Sequence, residues 1–223
     1  MFAELSITSN FTFLTGASHP EEYMDRAATL GLSAIAITDT NSVAGIVRAW
    51  SEAKQITRLI RERTTLEAKN GPIGPPVPDH IDHARSQALT HVPRLIPGAR
   101  IVTDTGFTVT ALAATRQGWA QLCRLLTTGR RRAPKGDCHL TLDDLLHCSH
   151  GLHWLLHPPT HVPTVTDGAG AWHTQAQQLS RRFAGQTHLV LSPRYDGQDR
   201  PRFDRLAGLA QDLNLPTLAS ATP

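Results

Sequence analysis

The sequence predicts an α/β fold in which a largely parallel sheet is built from strand–helix units. Short apolar runs alternate along the 223 residues with segments whose apolar side chains recur at helical spacing, and this alternation is typical of parallel β/α units. The glycine-rich phosphate loops of Rossmann and P-loop proteins are missing from the sequence, which removes two common nucleotide-binding folds. The number of units is compatible with a small (β/α) barrel.

The first unit is a strand, a loop and a capped helix. Residues 5–8 form a short extended run, and residues 10–16 form a loop. Ser18 is expected to cap the first helix, because Glu21 stands three residues later as in a capping box. Pro20 then lies inside the first turn, where its missing N–H costs nothing.

The second unit contains the most buried strand of the chain. Residues 34–37 are apolar without alternation, which suits a parallel strand covered on both faces. Asp39 follows at the C-terminal end of this strand, the edge where α/β proteins gather ligands and catalytic groups. Residues 42–63 are predicted to form one helix. The proline and glycine of residues 70–78 then indicate an exposed insertion near 67–92.

The remaining elements repeat the same alternation, with no domain boundary inside residues 1–223. The predicted strands are 95–102, 107–113, 152–156, 188–191 and 217–219, and the predicted helices are 115–128, 171–183 and 201–213. Gly129 is expected to end the helix that begins at residue 115. Thr141 and Asp144 are spaced as the capping pair of a further, short helix.

Composition and charge exclude several classes of protein. Hydrophobic residues make up 40% of the chain and the formal net charge is +3, so a globular protein is expected whose small basic surplus permits nucleic-acid contact without requiring it. No apolar run reaches membrane-spanning length and no secretory leader is evident. Cys123, Cys138 and Cys148 lack CxxC spacing, which argues against a disulfide framework or a zinc knuckle. A cytoplasmic location is expected.

Several runs of the sequence carry a family resemblance. They are ELSITSNFTFLTGASHPEE at 4–22, LGLSAIAITDTNSVAGIVRAW at 30–50, RLIPGARIV at 94–102, LCRLLTTGRRRAPKGDCHLTLDDLL at 122–146 and RLAGLAQDLNLPTLAS at 205–220. In this order they resemble the N-terminal PHP domain of bacterial error-prone DNA polymerases, a C-family branch related to the polymerase III alpha subunit. The resemblance implies a distorted (β/α)7 barrel of PHP type, with the polymerase domains that follow it absent from this chain.

The resemblance also implies where a metal site would lie, and this chain departs from the pattern there. Active PHP domains bind divalent metals through His and carboxylate side chains. Ser6 and Thr8 replace the family's His-x-His, Thr40 replaces the His of Thr-Asp-His, and Arg100 stands where a ligand Glu is expected. Of these positions only Asp39 has a side chain that commonly binds metal ions, because a hydroxyl is a poor metal ligand and a guanidinium does not bind metal ions. The site is therefore expected to be degenerate, with no metal and no catalytic residue.

Three interpretations of Asp39 remain open at this point. Its carboxylate either caps a loop or a helix N-terminus, or pairs with Arg100, or binds a metal ion. If Arg100 points into the site, its permanent positive charge repels a cation.

A histidine-rich run invites a metal interpretation but matches no zinc signature. Its members are His139, His147, Cys148, His150, His153, His157 and His161. We interpret them as surface residues.

A basic cluster follows the helix predicted for residues 115–128. It consists of Arg130, Arg131, Arg132 and Lys135. Cations at a helix C-terminus interact favourably with the helix dipole, by about 0.3–1 kcal/mol. This interaction explains the cluster without any ligand or partner. The alternative is a contact with phosphate or with another domain, since the resembling polymerases carry this run.

The function implied by the resemblance is template-directed DNA synthesis during damage-induced mutagenesis. In the family that chemistry belongs to Mg²⁺-binding acidic residues of a separate palm domain, so this chain alone is expected to need no cofactor and to be inactive. Its implied role is a scaffold that contacts the remaining polymerase domains and exposes apolar surface to them. Primer-template DNA, the sliding clamp and mutagenesis accessory proteins are the partners implied for the parent polymerase. The alternatives are a free-standing metal-dependent phosphoesterase and a non-catalytic nucleic-acid-binding module.

Overall fold

The strands of the chain form a single sheet in sequence order. The computed structural model describes residues 2–70, 89, 91–159 and 170–221. Within these residues the sheet has seven strands in the order β1 to β7: β1 (Ala3–Ile7), β2 (Ala34–Ile37), β3 (Arg94–Val102), β4 (Thr108–Ala113), β5 (Leu152–Leu156), β6 (Thr187–Leu191) and β7 (Thr217–Ala219). The helices of the same residues are α1 (Pro20–Thr29), α2 (Gly45–Asn70), α3 (Arg116–Arg132), α4 (Leu142–Leu146), α5 (Gly170–Arg182) and α6 (Asp199–Asp212).

One strand runs against the others in a sheet that is otherwise parallel, as the sequence predicts. β4 is antiparallel to both β3 and β5, whereas β1, β2 and β3 pair in parallel, as do β5, β6 and β7. The turn from β3 to β4 spans only residues 103–107, with Gly106 at φ 79°. A parallel crossover needs a dozen or more residues, so this short turn forces a hairpin.

The sheet curls into a barrel-like half-cylinder. One apolar side chain from each strand packs into a single cluster on the face that carries no helices: Leu5, Ala36, Ile96, Leu112, Leu155, Val190 and Leu218. The edge strands of a flat seven-stranded sheet would be about 29 Å apart, at roughly 4.8 Å per strand, so contact between them requires curvature. The predicted α/β fold of distorted barrel type is therefore confirmed.

A buried carboxylate joins the two edges of the sheet. Glu4 of β1 is 4% exposed and accepts hydrogen bonds from the Ser220 hydroxyl and, at 2.7 Å, from the Ala221 backbone N–H. Both donors follow β7 directly. Because β1 and β7 share no backbone ladder, this side chain links the edges where a closed barrel would use main-chain hydrogen bonds.

The helices cover the outer face of the sheet and form two larger apolar clusters. α1 and α2 pack on β1 and β2 around residues such as Met24, Ile35 and Ile56. α3, α5 and α6 pack on the other strands around the fully buried Trp154 and Phe183. No helix among the described residues is long and apolar enough to span a bilayer.

Several predicted helix ends shift for identifiable reasons. The N-cap of α1 is His19, not Ser18, because Pro20 occupies the first helical position, and the Glu22 carboxylate accepts from the His19 N–H at 2.7 Å. Gly129 does not end α3, which continues to Arg132. Close packing leaves no room for a side chain at Gly129, because an added Cβ would come within 2.6 Å of the Cys138 sulfur.

The other predicted boundaries agree with the structure or lie outside it. The Thr141 and Asp144 capping pair of α4 is confirmed, with the Thr141 N–H donating to Asp144 Oδ2 at 2.9 Å. α2 continues past its predicted end at residue 63 as far as Asn70. Residues 71–88 and 90 of the insertion expected near 67–92 lie outside the described residues, so that insertion stays a prediction.

Candidate functional site

The positions that match the family's metal ligands come together at one edge of the sheet. Ser6 and Thr8 lie at the end of β1, Asp39 and Thr40 follow β2, and Arg100 lies near the end of β3. Parallel pairing of these strands aligns their C-terminal ends. Thr40 and Arg100 form an isolated parallel bridge, and the Arg100 backbone N–H donates to the Asp39 carbonyl at 3.1 Å. The five positions that match the family's metal ligands therefore lie at the same end of the barrel.

The Asp39 carboxylate clamps the loop between β1 and α1. It is 1% exposed, and its Oδ1 accepts from the Ser9 N–H at 2.8 Å, the Ser9 hydroxyl at 2.9 Å and the Thr12 hydroxyl at 3.0 Å. The Thr12 hydroxyl in turn accepts from the Thr40 N–H at 2.9 Å. Of the three interpretations of Asp39, loop capping is the one that the geometry shows. The Ser9 hydroxyl lies 2.9 Å from Oδ2 as well, and shares its one proton between the two oxygens, so the β1–α1 loop engages both oxygens of the carboxylate.

The Arg100 guanidinium is directed to His157, not to Asp39. Its Nη2 lies 3.3 Å from His157 Nδ1, and His157 Nε2 lies 2.8 Å from the Thr110 hydroxyl. A guanidinium only donates, so Nδ1 is the acceptor and the proton of the neutral ring sits on Nε2, facing Thr110. Burial and the charge of Arg100 lower the pKa of His157 to about 3. The proposed pairing of Asp39 with Arg100 is therefore not formed.

Other acidic groups do not complete a metal site at this edge. The Glu4 carboxylate already accepts hydrogen bonds from Ser220 and Ala221, and its Oε1 also accepts from the Ser6 N–H at 3.0 Å. Within residues 2–70, 89, 91–159 and 170–221, no three His, Cys, Asp or Glu side chains converge as a metal site requires. The side chains described at the matched positions thus offer hydroxyls, one carboxylate engaged by the β1–α1 loop and one guanidinium, which do not fit the metal cluster of active PHP domains.

The histidine-rich run is not uniformly a surface feature. His139 lies 3.1 Å from Asp104, and His147 contacts the Asp143 carbonyl, both on the exposed side of the molecule. Two members contradict the surface interpretation: Cys148 is 4% exposed in the core, and His157 is mostly buried at the strand ends between Arg100 and Thr110. His157 directly follows the last residue of β5. This position at the end of a strand is the sequence signal that could have identified it as a site residue. His161 lies outside the described residues.

The basic cluster is divided between internal contacts and free surface. Arg130 donates to the Asn41 carbonyl at 2.8 Å, and Arg132 pairs with Asp144 at 2.6 Å. Arg131 and Lys135 are exposed, and neither has a side-chain partner among the described residues. The cluster is thus partly used to hold α3 against the β2–α2 loop and α4.

The cysteines offer no activated nucleophile. Burial raises the pKa of Cys123, Cys138 and Cys148, and that of Cys148 reaches about 11. A thiol is nucleophilic only as the thiolate, so these groups are inert at neutral pH.

Cavities open at both ends of the barrel. A largely apolar cavity of 390 Å³ lies at the N-terminal ends of the parallel strands, beside Leu112, Leu155 and His188, and none of the five positions matched to metal ligands lines it. A smaller pocket of 160 Å³ lies at the C-terminal ends. We call it the mouth pocket, and its polar lining residues are Arg100, His157, Ser192, Arg194 and Arg202.

Comparison with known sequences identifies relatives over almost the whole chain. A family model described as the PHP domain matches residues 4–165. The chain is 43% identical over 230 residues to an error-prone DNA polymerase of Ruegeria pomeroyi, covering 98% of this chain and 19% of that protein. It is 36% identical over 220 residues to error-prone DNA polymerases of Rhodopseudomonas palustris and Caulobacter vibrioides, of which it covers 17% each. The chain thus spans less than a fifth of the length of these curated relatives.

Two solved structures share the fold at low sequence identity. A Bifidobacterium adolescentis protein, proposed to be a metal-dependent phosphoesterase, matches with a TM-score of 0.55 at 12% identity, over 100% of this chain and 87% of that one. An amidohydrolase from Chromobacterium violaceum, solved with bound sulfate and no metal, matches with a TM-score of 0.53 at 15% identity, over 99% and 86%. Fold, strand-end site and family model agree, and the chain therefore belongs to the PHP domain family.

Proposed function

We propose that this chain is the PHP domain of an error-prone DNA polymerase and works there as a non-catalytic scaffold. The relatives that match 98–99% of the chain carry that name. The activity proposed for the whole polymerase is cytoplasmic DNA synthesis in replication and repair, including translesion synthesis after DNA damage. Its Mg²⁺ would be held by other domains. Primer-template DNA, the sliding clamp and mutagenesis accessory proteins are proposed as partners of the whole polymerase.

The observation that carries the scaffold role is the state of Asp39. It is the one matched position that retains a metal-ligand side chain, and its Oδ1 accepts three hydrogen bonds from Ser9 and Thr12. The former metal edge is thereby used to hold the β1–α1 loop. A phosphoesterase of this family would need several free His and carboxylate ligands there.

An exposed apolar surface supports contact with other polymerase domains. Phe13 and Leu14 of the β1–α1 loop are 85% and 90% exposed. The Arg48 guanidinium of α2 stacks over the neighbouring Phe11 ring at 5.7 Å, and Val47 is also exposed. Apolar groups gathered on one surface of this kind mark interaction sites. We name Phe11, Phe13, Leu14 and Val47 the docking surface and assign it to the remaining polymerase domains.

Arg131 and Lys135 are the members of the basic cluster that remain open to a partner. We propose that they contact phosphate or a neighbouring domain, because Arg130 and Arg132 are already engaged within the chain.

The decisive experiment separates a scaffold from an enzyme. The purified chain is exposed to Mn²⁺ and Zn²⁺, dialysed, and assayed for metal content and for cleavage of phosphodiester substrates. We expect no stoichiometric metal and no cleavage. The chain is then added to the Ruegeria pomeroyi polymerase from which the matching region has been deleted, where we expect it to bind and to raise primer extension.

Either half of this experiment can contradict the proposal. Stoichiometric metal with cleavage that Asp39→Asn abolishes would identify a phosphoesterase. No binding to the truncated polymerase would remove the scaffold role.

A further inference from the structure

The mouth pocket has an unusual charge for a site at the metal edge of this fold. Its described ionisable lining residues are all basic: Arg100, His157, Arg194 and Arg202. No carboxylate is among the described residues that line it. An edge that holds cations in active relatives is therefore lined in this chain by guanidinium groups and an imidazole, and a buried guanidinium there repels cations and attracts anions.

The charge of Arg100 is not balanced within the described part of the chain. Its side chain is mostly buried, it forms no ion pair with a described carboxylate, and its contact is His157 Nδ1 at 3.3 Å. The Arg100 Nε is buried without a hydrogen-bond partner, and so is the hydroxyl of Ser192 on the same pocket. Burying an unpaired charge costs several kcal/mol, so a counter-charge in the pocket would be strongly favoured.

Neighbouring groups do not supply that counter-charge. His157 is neutral in the tautomer that accepts from Arg100 and donates to Thr110. Arg202 is already balanced, because its guanidinium pairs with Asp196 and Asp199. Asp199 also accepts from the Arg194 backbone N–H at 2.8 Å, so both carboxylates are held beside the pocket rather than in it.

The pocket has room for a small anion. Its 160 Å³ is well above the roughly 10–15 Å³ that a cavity needs to hold one water molecule. A single phosphate group, with its phosphorus and four oxygens, is small enough for that space. A guanidinium donates in a fork that matches the oxygens of phosphate, and the Ser192 hydroxyl adds a further donor.

We propose that the mouth pocket binds one phosphate group without a metal ion, with Arg100 as its principal charge partner. The phosphate is either free inorganic phosphate or the terminal monoester of a longer molecule. The scaffold role described above neither requires nor excludes this site, since phosphate binding is measured on the chain alone.

The test is a phosphate titration of the purified chain in the presence of EDTA at pH 7.5. Thermal unfolding is followed as inorganic phosphate is added, with sodium chloride of equal ionic strength as the reference. We expect a saturable rise in Tm with phosphate only, because a ligand of the folded state stabilises it. Arg100→Gln should weaken the apparent affinity at least tenfold. Arg61→Gln, which removes an exposed arginine of α2 outside the pocket, should leave the affinity within twofold.

A second readout does not depend on the stability of a variant. The Nε–H resonance of Arg100 in a proton–nitrogen spectrum, assigned by its loss in Arg100→Lys, should shift with phosphate and not with chloride. A 5′-phosphorylated trinucleotide that competes, beside an unphosphorylated one that does not, would identify a terminal monoester as the source. Competition by neither would identify the free ion. A rise in Tm that chloride reproduces, or that Arg100→Gln leaves unchanged, would overturn the proposal.

Discussion

The side chains at the strand ends decide the chemistry of this site. Asp39 retains the family's carboxylate, yet Ser9 and Thr12 direct three donors at its Oδ1. Arg100 stands where a carboxylate ligand is expected. Its guanidinium contacts the mostly buried His157, which is neutral. The pKa values of such groups follow from burial and neighbouring charge, and both causes act on His157 in the same direction.

The buried His157 makes a specific prediction about pH. Its pKa is about 3 in the folded chain and about 6.5 in an unfolded one. The unfolded state therefore binds a proton first, so stability is complete above pH 6.5 and falls as the pH drops toward 3. Between pH 7.5 and 5.5 the parent chain should lose about 1.4 kcal/mol through this residue. Urea unfolding at the two pH values measures the loss.

Two variants make that measurement specific to His157. His157→Gln, whose amide can still accept from Arg100 and donate to Thr110, should remove about 1.4 kcal/mol of the pH dependence. His150→Gln replaces an exposed histidine and should retain the full dependence. An unchanged pH profile in His157→Gln would show that the histidine is already solvated in the folded state.

At the scale of the elements, the helices show why a glycine has to be interpreted from its surroundings. Gly129 looks like a helix stop in the sequence, but it lies inside α3 against Leu140 of the following loop. Gly208 lies inside α6 with no heavy atom within 4 Å of an added Cβ. The first glycine is required by close packing, and the second only adds conformational entropy to the unfolded chain.

The same substitution should therefore have opposite effects at these two positions. Gly129→Ala places a methyl group 2.6–2.8 Å from Cys138 and Leu140 and should destabilise the chain by about 1–3 kcal/mol. Gly208→Ala should stabilise it by about 0.5–1 kcal/mol, the difference in helix propensity. Urea denaturation of both variants measures the two free energies. Equal signs would mean that the packing of α3 against residues 138–140 is looser than the structure shows.

The whole molecule combines a side-chain closure with an uncovered apolar surface. Glu4 joins β1 to the residues after β7, beside the apolar cluster that includes Leu5 and Leu218. On the outside, the docking surface exposes Phe13 and Leu14 almost completely. Exposed apolar groups of this kind favour association when their partner is missing.

We therefore expect the isolated chain to self-associate as its concentration rises. Replacing Phe13→Ser together with Leu14→Asn should keep the chain monomeric at about tenfold higher concentration, because apolar area is removed. Asparagine tolerates the positive φ of 62° at position 14. Size-exclusion chromatography with light scattering measures the change. Tyr195→Ser, at an equally exposed aromatic on another loop, is the control, and a parent chain that remains monomeric throughout would contradict the prediction.

Local pattern was sufficient for most of the elements and for the location of the site. β2, β5 and β7 begin and end at their predicted residues, since a short apolar run between polar turns defines a buried strand without reference to the rest of the fold. The loss of the ligand side chains at Ser6, Thr8 and Thr40 is likewise a property of residue type alone.

Only the tertiary structure decided which side chains meet. The sequence by itself determined the strand–helix alternation, the family and the replaced ligands, because these depend on residue type and spacing along the chain. It could not show that Arg100 contacts His157, that Ser9 and Thr12 donate hydrogen bonds to Asp39, or that Glu4 reaches the end of β7, 217 residues away in the case of Ala221. Those contacts depend on the curvature of the sheet, which brings distant strand ends within hydrogen-bonding distance.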